Sequence, residues 1–292
     1  MAITIDSAFI EEYSDLVRQL AQQEETRLRP HVYEVSSGGE AYNFERLGPT
    51  EATEKTGRRV DTPYTDDIWT RRVAQPKTFN HVMTIEHEDK VQMLVDPQSN
   101  YAMSQGYAMA RAYDDTIIAA LGGTALDGAG NATAFPAGQV VGDGSAAISF
   151  DLVTQVQKKF MVNEIMPDLP KVMVVSPYQV QQLMQLTEQT SSDFVKREAL
   201  QTLTATGIVP NWMGFTWIVS NRLDSPGVGE EHCYAFTRRG VGLAVNQDTF
   251  TRIGENPDKS YMIQVFSQWT AGAVRVEDEH VVKLHVANPD VT

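Results

Sequence analysis

Cysteine is almost absent from this 292-residue chain: Cys233 stands alone, so no intramolecular disulfide can form and the fold must hold without staples. That fits a reducing cytoplasm or a place that needs no staples, and a lone cysteine reads first as a small buried hydrophobe. Long apolar runs are missing as well. No stretch approaches the roughly 18 residues that span a bilayer. The start, Met1-Ala2-Ile3-Thr4, lacks the basic-then-apolar order of a signal peptide, so the sequence predicts a soluble, unexported protein. Positive charge is in deficit: 24 Lys and Arg against 38 Asp and Glu leave a net −14. This excludes a surface that neutralises phosphates broadly, because such binding needs clustered cations.

Catalytic and ligand-binding patterns are lacking too. Six histidines lie scattered at 31, 81, 87, 232, 280 and 285, without His-Glu-x-x-His and without a cysteine pair, so no metal site is expected. His81 and His87 would share a strand face, with Glu86 and Glu88 opposite, at best part of an exposed site. Gly142-Asp143-Gly144-Ser145 lacks the Gly-x-Ser-x-Gly form of a nucleophile elbow. The seven glycines between residues 122 and 144 match no phosphate-binding loop. Asp66-Asp67 and Asp114-Asp115 read as solvated carboxylates, since neighbours in a loop or helix point apart. Asn131-Ala132-Thr133 has the form of a glycosylation acceptor, which without export has no use. No catalytic residue, cofactor or metal is expected, and the chain does not read as an enzyme.

What is present is an order of parts. With 42% hydrophobic and 21% charged residues the chain can bury a large core. Residues 7 to 28 read as a helix with Phe9, Tyr13, Leu16, Val17 and Leu20 on one narrow face, ended by Pro30. Such a face suits a neighbouring surface better than a core. Short strands at His31 to Val35, Ala41 to Leu47 and Ile68 to Val73 flank a polar stretch from Gly48 to Asp67, making a hairpin with a charged tip. Residues 40 to 80 hold seven basic and seven acidic residues, so the rest of the chain carries the whole negative excess. A dense, sign-balanced segment can pair with a copy of itself, although a solvated loop would carry the same charges.

Strands Phe79 to Glu86 and Val91 to Val95 lead to a long helix over 97–121, capped by Asp96 and Pro97. Met103, Tyr107, Ala110, Tyr113, Ile117 and Ala120 form its stripe, Arg111 faces Asp115, and Gly122-Gly123 supply a left-handed stop. A glycine-rich break follows, with a short hairpin through Gln139 to Val141. Then come a helix from Phe150 to Ile165, a buried strand Lys171 to Val175, a helix opened by Ser176-Pro177 and a further helix over 192–203. Asn211 to Ser220 reads as a strand or hairpin, followed by strands Cys233 to Phe236 and Val241 to Val245. Tyr261 to Thr270, Gly272 to Val276 and His280 to Val286 read as a C-terminal meander.

This order resembles the major capsid proteins of tailed double-stranded DNA bacteriophages, the Hong Kong 97-like capsid fold shared with bacterial encapsulins. The likeness runs over nearly the whole chain: the arm helix, the hairpin, the helix with Arg111-x-x-x-Asp115-x-x-Ile118-x-x-Leu121-Gly122, Lys171-Val-Met-Val-Val-Ser-Pro177, Gly214-Phe-Thr-Trp-Ile-Val-Ser220 and Ala271-Gly-Ala-Val-Arg-Val276. The resemblance implies an α+β fold with an N-terminal arm at 1–39, an extended loop at 40–80 and a peripheral domain at 81–145 holding the spine helix. An axial domain at 146–265 and returning peripheral strands at 266–292 complete it. It implies a shell subunit forming pentamers and hexamers, located in the virion and assembled in the host cytoplasm. Packaged DNA would lie nearby but weakly bound. The short N-terminus departs from relatives with a large cleavable scaffolding segment, so a separate scaffolding protein, a portal and, where one is used, a decoration protein are the expected partners. Arg58, Arg59, Asp61, Arg71 and Arg72 are the expected intersubunit contacts. An encapsulin-like compartment, or an α/β enzyme with an unrecognised nucleophile, are the alternatives.

Overall fold

A computed structural model describes residues 23–60, 66, 68–85, 98–185 and 206–291. Most of the arm helix, strand Val91 to Val95, the Asp96-Pro97 cap, His87, Asp61, Asp67 and the helix at 192–203 lie outside the described residues.

The chain enters through an irregular stretch and a 3₁₀ turn, Arg29–His31, into β1 (Tyr33–Ser36). The arm helix therefore does not reach residue 28, because the N–H groups of Arg27 and Leu28 are given to the Asp114 carboxylate and not to a helical ladder. β2 (Tyr42–Leu47) and β3 (Trp69–Ala74) form the expected antiparallel hairpin, with Tyr42 opposite Ala74 and Leu47 opposite Trp69. β4 (Lys77–Ile85) precedes α1 (Gln98–Gly122), whose 25 residues span about 37 Å. In the glycine-rich segment the hairpin is β5 (Ala125–Asp127) with β6 (Ala132–Thr133), earlier than expected. β7 (Val140–Val141) is not part of a hairpin and lies parallel to a C-terminal strand.

α2 (Phe150–Val162) is capped by the Ser149 hydroxyl, which accepts from Leu152 N–H. β8 (Lys171–Val175) leads to α3 (Pro177–Gln185). β9 (Ile208–Trp212) turns into β10 (Phe215–Val219) through Met213 and Gly214, both left-handed as a tight hairpin turn requires. β11 (Glu230–Thr237), β12 (Val241–Asn256), β13 (Met262–Arg275) and β14 (Val281–Ala287) close the chain. The C-terminal strands are not a meander. β13 runs unbroken through Gly272, where a Cβ would sit 2.4 Å from the Gln75 carbonyl, and β14 leaves β13 for another sheet. The boundary expected between 265 and 266 thus falls inside one strand.

Six strands in the order β7-β14-β11-β8-β10-β9 form the central sheet, and β1-β12-β13-β4 and β2-β3-β5-β6 form two smaller ones. The central sheet is covered on both faces, which explains why every residue of β8 is buried. Met173 and Val175 pack under α2 and α3 with Phe160, Trp212 and Trp217, while Val172 and Val174 face α1 with Ile117, Leu121 and Trp269. The buried row of α1 is Gln105, Met109, Tyr113, Ile117 and Leu121, so the expected stripe is rotated and Met103 points to solvent. Two polar residues sit on the buried side. Gln105 donates to Val265 O and accepts from Ser267, and Asp114 is satisfied by the entry segment.

The end of α1 also differs from expectation. Neither Gly122 nor Gly123 has a positive φ. They are small because space demands it: a Cβ on Gly122 would lie 2.0 Å from the Tyr234 hydroxyl, and one on Gly123 2.4 Å from Ala119 O. The last carbonyls are served by a cation. Fully buried Arg275 donates to Gly123 O at 2.6 Å, to Ala134 O at 3.2 Å and to Asp278 at 2.6 Å, and lies 4.8 Å above the Phe135 ring. Replacing it by methionine keeps the bulk but strands Asp278 and the carbonyls. We expect Arg275→Met to cost on the order of 3–5 kcal/mol in urea unfolding; a loss below about 1 kcal/mol would refute this role.

Candidate assembly surfaces

The five charged residues expected at contacts do not behave alike. Arg58 and Arg59 lie exposed in the polar tip, with Arg59 held at φ 60°, and Asp61 lies outside the described residues. Arg71 pairs across the hairpin with Glu45 at 2.8 Å, a largely solvated ion pair. Arg72 is turned inward: its side chain is 8% exposed and it donates to Asp278 at 2.9 Å. Strand alternation separates these two neighbours, placing Arg71 outside and Arg72 beneath the sheet. Arg72 is therefore an internal tie, sharing Asp278 with Arg275.

Apolar groups on the same hairpin were missed by a reading that attended to charge. Leu47 and Trp69 are cross-strand partners, and with Ile68 all three are more than half exposed. The dipeptide Ile68-Trp69 beside a charged run was the available signal. A second such region is the outer half of the β12–β13 ribbon, where Phe250, Ile253 and Tyr261 are exposed. A third lies at the end of α2 and just beyond it, with Met161, Val162 and Met166 about two-thirds exposed. Large apolar groups clustered at projecting ends mark contact surfaces.

The entry segment is fixed by a different device. Buried Asp114 receives Gln23 Nε2 at 2.5 Å, Thr26 Oγ1 at 2.6 Å, Arg27 N at 3.0 Å and Leu28 N at 3.2 Å. It is not the solvated carboxylate expected from its position beside Asp115, which pairs with Arg222. Arg111 reaches back to Gln23 O. Next to this, Arg29 bridges Glu34 and Asp248 over the Tyr113 ring, and the Tyr113 hydroxyl donates to Asp248. The Arg29 hydrogen bond holds Asp248 well below its usual range, at about 2, and burial pushes Tyr113 up.

Among the described residues no group of three or more His, Cys, Asp or Glu could hold a metal ion, and no helix is long and apolar enough to cross a membrane. Burial pushes the Cys233 thiol well up, so the nucleophilic thiolate is disfavoured. His232, His280 and His285 each pair with one carboxylate, of Asp224, Glu277 and Glu230.

Comparison with known proteins gives the class to which this fold belongs. A family profile described as phage capsid protein matches residues 5–288. The chain belongs to the phage capsid protein family and is a major capsid protein, a subunit of the head shell of the virion. Its fold is similar to that in the capsid of Cyanophage P-SCSP1u, at TM-score 0.75 and 16% identity, covering 99% of this chain and 96% of that one. A Mycobacterium phage Che8 structure gives TM-score 0.70 at 18% identity, covering 98% and 99%. The capsid of Ralstonia phage GP4 gives 0.72 at 12%, covering 98% of both chains. No curated protein sequence matches the chain.

Two outcomes follow from the entry segment. Asp114→Ala leaves two backbone donors without their acceptor, with an expected loss on the order of 1–3 kcal/mol. It should also make trypsin cut faster after Arg27, the Arg29–Pro30 bond being resistant; an unchanged digestion rate would show that the carboxylate does not hold the segment. Asp248, whose folded pKa is depressed, contributes stability in full above 3.8, and that contribution fades as pH falls towards about 2. Asp248→Asn should therefore flatten the fall of the unfolding midpoint across that window, and an identical pH profile for variant and parent would exclude the effect.

Proposed function

We propose that copies of this chain associate as pentamers and hexamers, which close into an icosahedral shell around a double-stranded DNA genome. The α1 helix and the β1-β12-β13-β4 sheet act as the peripheral part, the central sheet with α2 and α3 as the axial part near each symmetry axis, and the β2–β3 hairpin as the extended loop. One observation carries this reading: a doubly packed body sends out two ribbons whose ends expose Leu47, Ile68 and Trp69 on one and Phe250, Ile253 and Tyr261 on the other. A free subunit leaves these groups in water, whereas neighbouring copies would bury them.

Arg58 and Arg59, exposed at the loop tip, serve as intersubunit cations in this scheme, with Asp61 two residues on in the sequence as a further contact and Arg71 tied to Glu45. Arg72 contributes by stiffening the base of the loop. Assembly takes place in the host cytoplasm with a separate scaffolding protein, a portal and, where one is used, a decoration protein. The net charge of −14 suits a wall that lets packaged DNA slide past without gripping it. The role is structural and involves no catalysis.

Electron microscopy of the purified protein, alone and with its scaffolding protein, tests this directly. Closed shells, tubes or capsomer rings are expected; a monodisperse monomer under every condition would end the proposal. Arg58→Glu with Arg59→Glu should block or misdirect assembly while leaving the unfolding free energy within about 0.5 kcal/mol of the parent, since both groups are solvated. Unaltered shells from that variant would remove these two residues from the interface.

A further inference from the structure

The three histidines that pair with carboxylates do not spend their nitrogens alike. His280 uses both: Nδ1 meets the Thr237 hydroxyl at 2.6 Å and Nε2 meets Glu277 at 3.1 Å. His232 gives Nδ1 to Asp224 at 2.7 Å, and His285 gives Nε2 to Glu230 at 2.9 Å. Among the described residues, neither His232 Nε2 nor His285 Nδ1 has a hydrogen bond. An ionised carboxylate only accepts, so the nitrogen facing it carries the proton and the other keeps its lone pair. Asp224 is such a carboxylate. Burial works against its charge, but hydrogen bonds from His232 and Tyr234 hold it below the usual carboxylate range.

Strand register brings the two free lone pairs together. His232 on β11 stands directly opposite His285 on β14, with ring centres 5.0 Å apart and planes at 66°. An ion about 2.0–2.1 Å from one nitrogen of each ring sets the ring centres about 4.5–5.2 Å apart when the two bonds meet at roughly 90–110°. The observed spacing lies inside that window. Both side chains keep access to water, at 13% and 22% exposure. The paired side of His285 is held in place by a loop: Gly144, at φ 80°, donates its N–H to His285 O, and a Cβ there would lie 2.7 Å from His285 Nε2. Lys283, two residues along β14, has its ammonium engaged by the Gly122 carbonyl and the Phe135 ring.

We propose that His232 Nε2 and His285 Nδ1 bind a divalent transition ion of the zinc and copper class, with water in the remaining positions. Imidazole nitrogen suits such ions, whereas magnesium and calcium prefer oxygen. Asp224 and Glu230 do not touch the ion. They fix the tautomer and orientation of each ring, as carboxylates behind metal-bound histidines do. The ion links β11 to β14 and, through the two carboxylates, holds the ring-bearing ends of both strands in one arrangement. No sequence spacing announces the pair, because its members come from separate strands and meet only through sheet register.

The full-length chain, stripped of metal with EDTA and dialysed, is titrated with zinc chloride by calorimetry. One tightly held ion per chain is expected. His232→Gln and His285→Gln should each abolish it, Asp224→Asn should weaken it about 10–100-fold while leaving both ligands in place, and His31→Gln should leave it unchanged. Pulsed electron paramagnetic resonance of the unaltered chain with one equivalent of cupric ion does not depend on any variant folding, and should show two imidazole nitrogens on the copper. Absence of zinc binding, fewer than two imidazole nitrogens, or zinc affinity unchanged in both histidine variants would overturn the proposal and leave the rings as carboxylate-paired strand residues.

Discussion

One buried guanidinium organises this molecule. Arg275 has no exposure to water, and a cation in that position is tolerated only if every donor finds an acceptor. Two of its partners come from places distant in sequence, the end of α1 and the glycine-rich segment at Ala134, and the third is Asp278, three residues on just beyond β13. Asp278 then takes a second cation, Arg72 from the loop hairpin. Helix, four-stranded sheet and hairpin are thereby referred to one point. The glycines at the helix end follow from the same constraint. With Tyr234 pressed against Gly122 and Lys283 donating to its carbonyl, no side chain fits at position 122.

This arrangement separates the tasks of a shell subunit. The body holds its shape through two apolar cores on opposite faces of one sheet, so β8 is buried throughout and needs no partner copy. The hairpin and the outer β12–β13 ribbon have little core of their own, yet their roots are fixed, the first by Arg72 and the second by Gln105, which ties α1 to Val265 and Ser267. Rigid roots hold these unburied ends in a set orientation before any contact is made. That reduces the ordering cost that usually erodes interface energy.

The legible parts of the sequence were those decided by neighbours in the chain. Lys171–Val175 declared itself as an unbroken apolar run between breakers, and the hairpin by strands either side of a polar tip. The illegible parts depended on partners far away. Nothing near Asp114 distinguishes it from Asp115, yet one is buried beneath the entry segment and the other meets Arg222 at the surface. Arg71 and Arg72 are likewise alike in sequence and opposite in fate, because strand alternation and not composition decides which side each faces. The last strands looked like a meander because proximity in sequence favours pairing. The choice of β14 for β11 and β7 is made by the central sheet, which local pattern does not reveal.

Net charge sets the remaining condition on assembly. Copies carrying −14 repel one another at range, but salt confines that repulsion to roughly 8–10 Å at physiological ionic strength. Contacts must therefore act at shorter distance than the repulsion, which favours apolar burial and locally balanced ion pairs over broad electrostatic attraction. Residues 40 to 80 meet that need, since their seven basic and seven acidic groups cancel and Leu47, Ile68 and Trp69 lie among them. A subunit of large net charge can still bind its own copies where the surfaces that meet are neutral and apolar. In this chain the charge excess lies outside residues 40 to 80, and Leu47, Ile68 and Trp69 are exposed within them.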